Sequence, residues 1–199
     1  MGVELIPEEI FRKFDVYEFR HAVTILKHDF PNEWTDVISM LSEFTIPPTW
    51  IKSAGGNKSM ISKWVDKYLC QDRGWKEKKF ETKVVVDNNE RISPTHKVDC
   101  FKNEIALELE WNNKDPFYDR DLNNFRLLFD LHTVSVGIIL TRSDELQEYF
   151  DSVDKGSSYG NSTTHMSKLI PRIEGGGGAG CPVLVFGIKK SCIEEAEQT

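Results

Sequence analysis

The stretch Val98-Asp99-Cys100-Phe101-Lys102-Asn103-Glu104-Ile105-Ala106-Leu107-Glu108-Leu109-Glu110-Trp111 decides how the chain folds. Its character repeats every second residue, the period of a strand whose neighbours point to opposite faces. Ile105, Leu107, Leu109 and Trp111 share one face, and Ala106, Glu108 and Glu110 share the other. His96 to Phe101 reads as the preceding strand and Lys102-Asn103 as a tight turn. If the strands pair through that turn, positions summing to 205 lie opposite. Asp99 then faces Ala106 and sits diagonal to Glu108, about 7–8 Å away between Cα atoms.

Three carboxylates on one face of a hairpin repel one another and raise one another's pKa unless something positive lies between them. A hard divalent cation with oxygen ligands removes that conflict, and Mg2+ takes one or two carboxylates while keeping sites for water and phosphate oxygens. Such a centre can polarise a phosphodiester and activate water. The competing reading is an acidic outer face of an amphipathic strand.

Outward from the hairpin, Lys83-Val84-Val85-Val86 reads as a strand, and residues 119–131 as a helix with Leu122, Phe125, Leu128 and Phe129 on its apolar side. Val134 to Thr141 is a continuous apolar run, as expected of a strand buried on both faces. Ser143 caps a short helix ending near Phe150. A polar loop with a short helix near 163–170 precedes the glycine run 175–178, and Val183 to Ile188 is a last buried strand. Upstream, residues 3–28 read as helical. A second helix begins near Pro31 with Trp34, Val37, Ile38 and Leu41 at i, i+3, i+4, i+7, and Pro47-Pro48 breaks the chain. After the loop SAGGNKS a helix presents Ile61, Trp64, Val65, Tyr68 and Leu69, and Gly74 stops it. This order predicts an α/β fold, a mixed central sheet flanked by helices. It forms a single domain over 1–199: a helical part (1–50), a functional core (51–190) and an acidic tail (191–199).

Composition sets limits. The chain has 199 residues, 39% of them hydrophobic, enough for a core and too many for a disordered chain. No apolar run approaches the ~20 residues of a membrane span, and the first residues lack a signal-peptide stretch. The four cysteines, at 70, 100, 181 and 192, form no CxxC pair, so free thiols in a reducing cytoplasm are expected. On that reading the sequons at Asn57 and Asn161 carry no sugar. Net charge is −7, but residues 51–83 carry nine Lys/Arg against four Asp/Glu and residues 155–190 five against one. Two basic segments on an acidic body can clamp a polyanion. Gly175-x-Gly177-x-x-Gly180 precedes a strand rather than opening a helix, so it is no dinucleotide site. His96 reads as structural or solvent-facing, and Trp34, Trp64 and Trp111 as core.

Asp99, a turn, then Glu108-x-Glu110 resembles the PD-(D/E)xK nuclease core. The nine-residue step from Asp99 to Glu108 is similar to that of the BglII and BstYI enzymes, and Glu110 stands as in BamHI. Gly74-Trp75-Lys76-Glu77, the helix over 119–131 followed by Gly137-Ile138-Ile139-Leu140, and Pro182 to Ile188 extend the resemblance to this group of type II restriction endonucleases over roughly residues 55–190. The resemblance implies that Asp99, Glu108 and the Leu109 carbonyl bind Mg2+. It implies that Glu110, in place of the usual lysine, orients or deprotonates the attacking water or binds a second metal. The lysine position then carries no cation. The fourth acid of some relatives has no firm match, Glu81 being the one suggested.

Sequence reading would fall to Asn112, Asn113 and Lys114 after the second strand, and to Lys168 and Arg172 in the late loop. Asn pairs with adenine and Lys reaches guanine or phosphate. Lys58 suits a phosphate contact. The implied enzyme is a homodimer acting in the cytoplasm on a short palindrome in double-stranded DNA, GATC-containing by analogy, leaving 5′-phosphate and 3′-hydroxyl ends. A repair or nicking nuclease of the same core, and a non-catalytic DNA-binding protein with a degenerate core, are the alternatives.

Overall fold

A computed structural model describes residues 2–52, 58–93, 95–160 and 162–195. The strands are β1 (Phe14–Phe19), β2 (Lys76–Lys79), β3 (Thr82–Val86), β4 (Asn89–Ser93), β5 (Lys97–Lys102), β6 (Ile105–Glu110), β7 (Val136–Arg142) and β8 (Val183–Ile188). The helices are α1 (Glu8–Lys13), α2 (Ala22–Asp29), α3 (Pro31–Glu43), α4 (Pro48–Lys52), α5 (Met60–Asp66), α6 (Phe117–Asp130), α7 (Leu146–Ser152) and α8 (Met166–Glu174). A π-helical turn, Lys67–Gln71, continues α5.

Six strands form one mixed sheet in the order β1-β8-β7-β6-β5-β2, and β3 and β4 form a separate two-stranded hairpin. The β6-β7 and β7-β8 pairs are parallel, and all three strands are buried along their whole length. Two apolar layers cover the sheet. One joins Ile105, Leu107, Leu109 and Trp111 to the N-terminal helices and α5. The other joins Ala106, Ile139 and Val185 to α6 and α8. The α6 layer lies close because β7 carries Gly137, where a Cβ would meet the Phe125 ring at 2.3 Å. Thr141 Oγ1 ties the start of that helix to the strands, lying 2.6 Å from Tyr118 Oη and donating to the Glu110 carbonyl at 2.8 Å.

The architecture is the α/β arrangement expected. The N-terminal region is not purely helical, however: within 3–28, Phe14–Phe19 is an edge strand paired antiparallel with β8. Its run Phe-Asp-Val-Tyr-Glu-Phe is rich in β-formers, and a neighbouring strand outweighs its local charge. Helix α3 already ends at Glu43, before Pro47-Pro48, and Pro48 then starts α4, where a missing N–H costs nothing. The late helix runs on to Glu174, so the glycine run follows directly on its C-terminus. The N-cap position of α7 is Glu145 rather than Ser143, but Ser143 Oγ accepts the Glu145 N–H at 3.4 Å while its hydroxyl donates to Asp15 Oδ2 at 2.5 Å. Loop residues 53–57, with the Asn57 sequon, Asn161 and tail residues 196–199 lie outside the described residues. Among the described residues, no helix is long and apolar enough to cross a membrane.

Candidate active site

The hairpin turn lies one residue later than the sequence suggests. Asn103 and Glu104 occupy it, both at positive φ (44° and 67°), as a two-residue hairpin loop twisted to match its strands requires. Pairs therefore sum to 207: Lys102 with Ile105, Phe101 with Ala106, Cys100 with Leu107. A two-residue shift keeps every side chain on its face, but it moves Asp99 from a diagonal to a position opposite Glu108.

The regular ladder stops at that point. Between Lys76/Phe101 and Lys78/Val98 the β2-β5 register slips by one residue, a bulge in β5. Val98 accordingly packs in the α6 layer while Cys100 packs in the opposite one. Side chains take over from the backbone across the gap: the Asp99 N–H donates to Glu108 Oε2 at 3.2 Å, and the Leu109 N–H donates to Asp99 Oδ2 at 3.1 Å. N–H and C=O of one strand residue leave on the same edge, so the Leu109 carbonyl also faces β5.

Helix α6 completes the cluster. Asp121 and Asn124 fall on its buried side, among Tyr118, Leu122, Phe125 and Leu128, and are almost fully buried. Arg120 Nη2 bonds Glu110 Oε1 at 3.2 Å and lies 2.7 Å from Asp121 Oδ1. A guanidinium thus stands beside Glu110, correcting the expectation that the missing lysine leaves no cation there. The Asn113 amide donates to Glu110 Oε2 at 2.7 Å.

The electrostatics are unbalanced. Burial, then the charges of Asp121 and Asp99, raise Glu108 well above the ordinary glutamate value. Burial and Asp121 push Glu110 up to about 9. Burial raises Asp99 against the opposing Leu109 N–H, and raises Asp121 despite its bonds to Glu110 and Arg120. Two carboxylate oxygens, Glu108 Oε1 and Asp121 Oδ2, are buried without any hydrogen-bond partner. Orphaned buried anionic oxygens facing neighbouring acids are what a hard cation satisfies, so this donor set fits Mg2+ or a similar ion.

Asp99, Glu108 and Leu109 thus meet across the gap, and Glu110 joins them through Arg120 and Asp121, although among the described residues no three of these acids bring their carboxylate oxygens within 4.8 Å of one another. Glu81 does not join them: it is exposed in the connection between β2 and β3, whereas Asp121 is the acid that α6 supplies. The sequence carried a signal for it, since Asp121 lies three residues after Tyr118 and four before Phe125, on the apolar stripe where an acid is out of place. Asp66, at the end of α5, is near enough for its charge to raise Asp99 further. Lys58 is exposed just before α5 and pairs with Asp66. Burial opposes its charge, but Asp66, Asp99 and Glu77 together hold it above its ordinary value.

The remaining residues expected to contact DNA form a second assembly. Asn113 accepts the Thr164 N–H at 2.9 Å, and Lys114 bridges Thr163, so residues 112–116 lie along residues 162–164. Asn112 is exposed in the same loop. Lys168 Nζ bonds Asp115 Oδ2 at 2.9 Å, and Arg172 Nε bonds Asp119 Oδ1 at 3.0 Å. Buried Arg142 donates to the carbonyls of Thr164 (2.7 Å) and Tyr159 (2.8 Å), fixing that loop to the end of β7. Beside it Asp144 accepts His165 Nδ1 and the Ser167 hydroxyl. Acid and serine meet the same ring nitrogen, so the histidine does not link them as a nucleophile relay would.

A protein-family model described as restriction endonuclease BglII/BglIII (Endonuc-BglII) matches residues 14–188. No curated protein matches the chain.

Proposed function

Because the chain belongs to the restriction endonuclease BglII/BglIII family, and so is a metal-dependent, site-specific deoxyribonuclease, we propose that it cuts a short palindrome in double-stranded DNA as a Mg2+-dependent homodimer. The observation that carries this reading is the pair of orphaned oxygens, Glu108 Oε1 and Asp121 Oδ2, buried beside the gap where the β5-β6 ladder stops.

Asp99, Glu108 and the Leu109 carbonyl would hold the cation, with Asp121 beside them. Mg2+ bound there supplies Lewis-acid polarisation of the phosphodiester and a water made more acidic. Glu110 would orient the attacking water and take its proton once a nearby cation and Arg120 favour its charged form, since without the cation burial keeps it protonated up to about pH 9. Asn113 fixes one Glu110 oxygen and Arg120 the other, so the base is held in one orientation. Arg120 is partly exposed and neutralises charge where the family pattern has lysine. The scissile P–O bond breaks to leave a 5′-phosphate and a 3′-hydroxyl.

Lys58, Asn112, Asn113, Lys114, Lys168 and Arg172 are the proposed DNA contacts. A two-fold dimer suits a palindrome because each subunit then meets one strand in the same way. Four free thiols suit a reducing cytoplasm. Digestion of plasmid DNA of known sequence in Mg2+ tests the whole reading. Discrete fragments with one common end sequence are expected. A smear or nicked circles would favour a repair or nicking role, and tight binding without cleavage would favour a degenerate core.

A further inference from the structure

On the far side of Cys100 from the acids, three donors from two elements meet. Asp66 ends α5, Cys70 lies one turn on in the π-helical segment, and Cys100 follows Asp99 in β5. Their ligand atoms all lie within 4.8 Å of one another. The two sulfurs are 3.3 Å apart and unbridged, and Cys70 Sγ lies 3.9 Å from the Asp99 carbonyl oxygen. Cys100 is fully buried and Cys70 partly so, which leaves access from the α5 side. The π-helical turn ends this helix. Here it sets Cys70 against the strand.

Two thiolates and a carboxylate are ligands for a borderline-soft divalent ion, not for a hard one. Tetrahedral Zn2+ with Zn–S near 2.3 Å puts two sulfurs about 3.8 Å apart, so this pair must open by only about half an ångström. Three protein ligands leave the fourth position for water. We propose that Asp66, Cys70 and Cys100 form a thiophilic cation site of the Zn2+ class, separate from the hard-cation acids across β5. Binding releases the two thiol protons as the two metal–sulfur bonds form, and it displaces the Lys58 ammonium from Asp66. The inference rests on the thiols and stands whether or not the nuclease reading does.

Cadmium is the probe, because its thiolate complexes absorb in the ultraviolet. The full-length protein, kept reduced with a phosphine, is titrated with Cd2+ in metal-free buffer. One Cd2+ per chain is expected to bind with a saturable thiolate charge-transfer band and release of two protons. Zn2+ should abolish the band by competition, and a large excess of Mg2+ should not. Cys70→Ser should remove the band, Asp66→Asn should weaken binding, and Cys181→Ser should leave it unchanged. Cys70 is partly exposed, so its serine variant tests the site even if Cys100→Ser fails to fold. No saturable band, an unchanged band in Cys70→Ser, or displacement by Mg2+ would overturn the proposal.

Discussion

The β5-β6 cleft and the paired loops 112–116 and 162–164 contain the same kinds of residue, yet their charges are in opposite states. In the cleft, Asp99, Glu108, Glu110 and Asp121 share one guanidinium, are driven toward protonation, and leave two oxygens without partners. Beside the loops, on α8 rather than in the late loop the sequence suggests, two candidate DNA-binding cations already have acids: Lys168 holds Asp115 below the ordinary aspartate value, and Arg172 reaches Asp115 and Asp119. The acids between the strands and α6 are short of positive charge. Lys168 and Arg172 must exchange these partners to meet a phosphate, whereas Lys114 is an exposed cation of the loop itself. The difference assigns the cation to the cleft and DNA-induced rearrangement to the loops.

The largest effect should come from removing a cleft acid. Asp99→Asn or Glu108→Gln should slow single-turnover cleavage by on the order of a thousandfold or more. Specific binding in Ca2+, which coordinates more loosely, should persist. Equal loss of binding and cleavage would place these acids in the DNA interface instead.

Stability should report the same imbalance. Glu110 takes up its proton in the fold near pH 9, far above its unfolded value, so its contribution is complete below the ordinary glutamate range and is lost as pH rises through about 9. The metal-free protein should therefore melt at lower temperature as pH is raised from 5 to 9. Mg2+ or Ca2+ should restore the melting temperature more at pH 9 than at pH 5, because a ligand bound only to the fold stabilises it by mass action. A cation shift that is independent of pH would mean the acids do not share one ion. Arg120→Ala leaves Glu110 and Asp121 without their counter-charge and should cost about 1–3 kcal/mol in denaturant unfolding. The same substitution at Arg126, which bonds only Asn123 on the exposed side of α6, should be near neutral.

The smallest effects belong to the loops. Lys168→Ala or Arg172→Ala should weaken DNA binding and lower the salt slope by about one if the contact is to phosphate. Asp115→Asn should do the reverse and tighten non-specific binding, since it releases Lys168 and leaves Arg172 only Asp119 of its two acids. No change with Asp115→Asn would show that the ion pairs do not restrain the loop.

The sequence displayed the hairpin, the parallel buried strands and the face shared by Glu108 and Glu110, because period-two alternation survives burial. It misplaced the turn by one residue, since both Lys102-Asn103 and Asn103-Glu104 are polar and only the positive φ pair fits the strand twist. The register error moved pairs by two, so the faces of β6 were right and Asp99 and Glu108 were nearer than they read, while the bulge placed Val98 on the opposite face from Cys100. The β5 bulge has no residue signature of its own. Arg120 looked like any helix-surface cation, and β1 was hidden because its Asp15 and Glu18 dilute a short edge strand. Asp121 was legible in retrospect, as an acid on an apolar stripe.

The central claim is that Asp99 and Glu108 hold one hard cation against the bond being cut. The most direct test is to digest DNA of known sequence in Mg2+ with the natural protein and with Asp99→Ala/Glu108→Ala, and to read the fragment ends. Discrete fragments bearing 5′-phosphates from the natural protein, and intact DNA from the double variant, are predicted. The same fragments from the double variant would contradict the account.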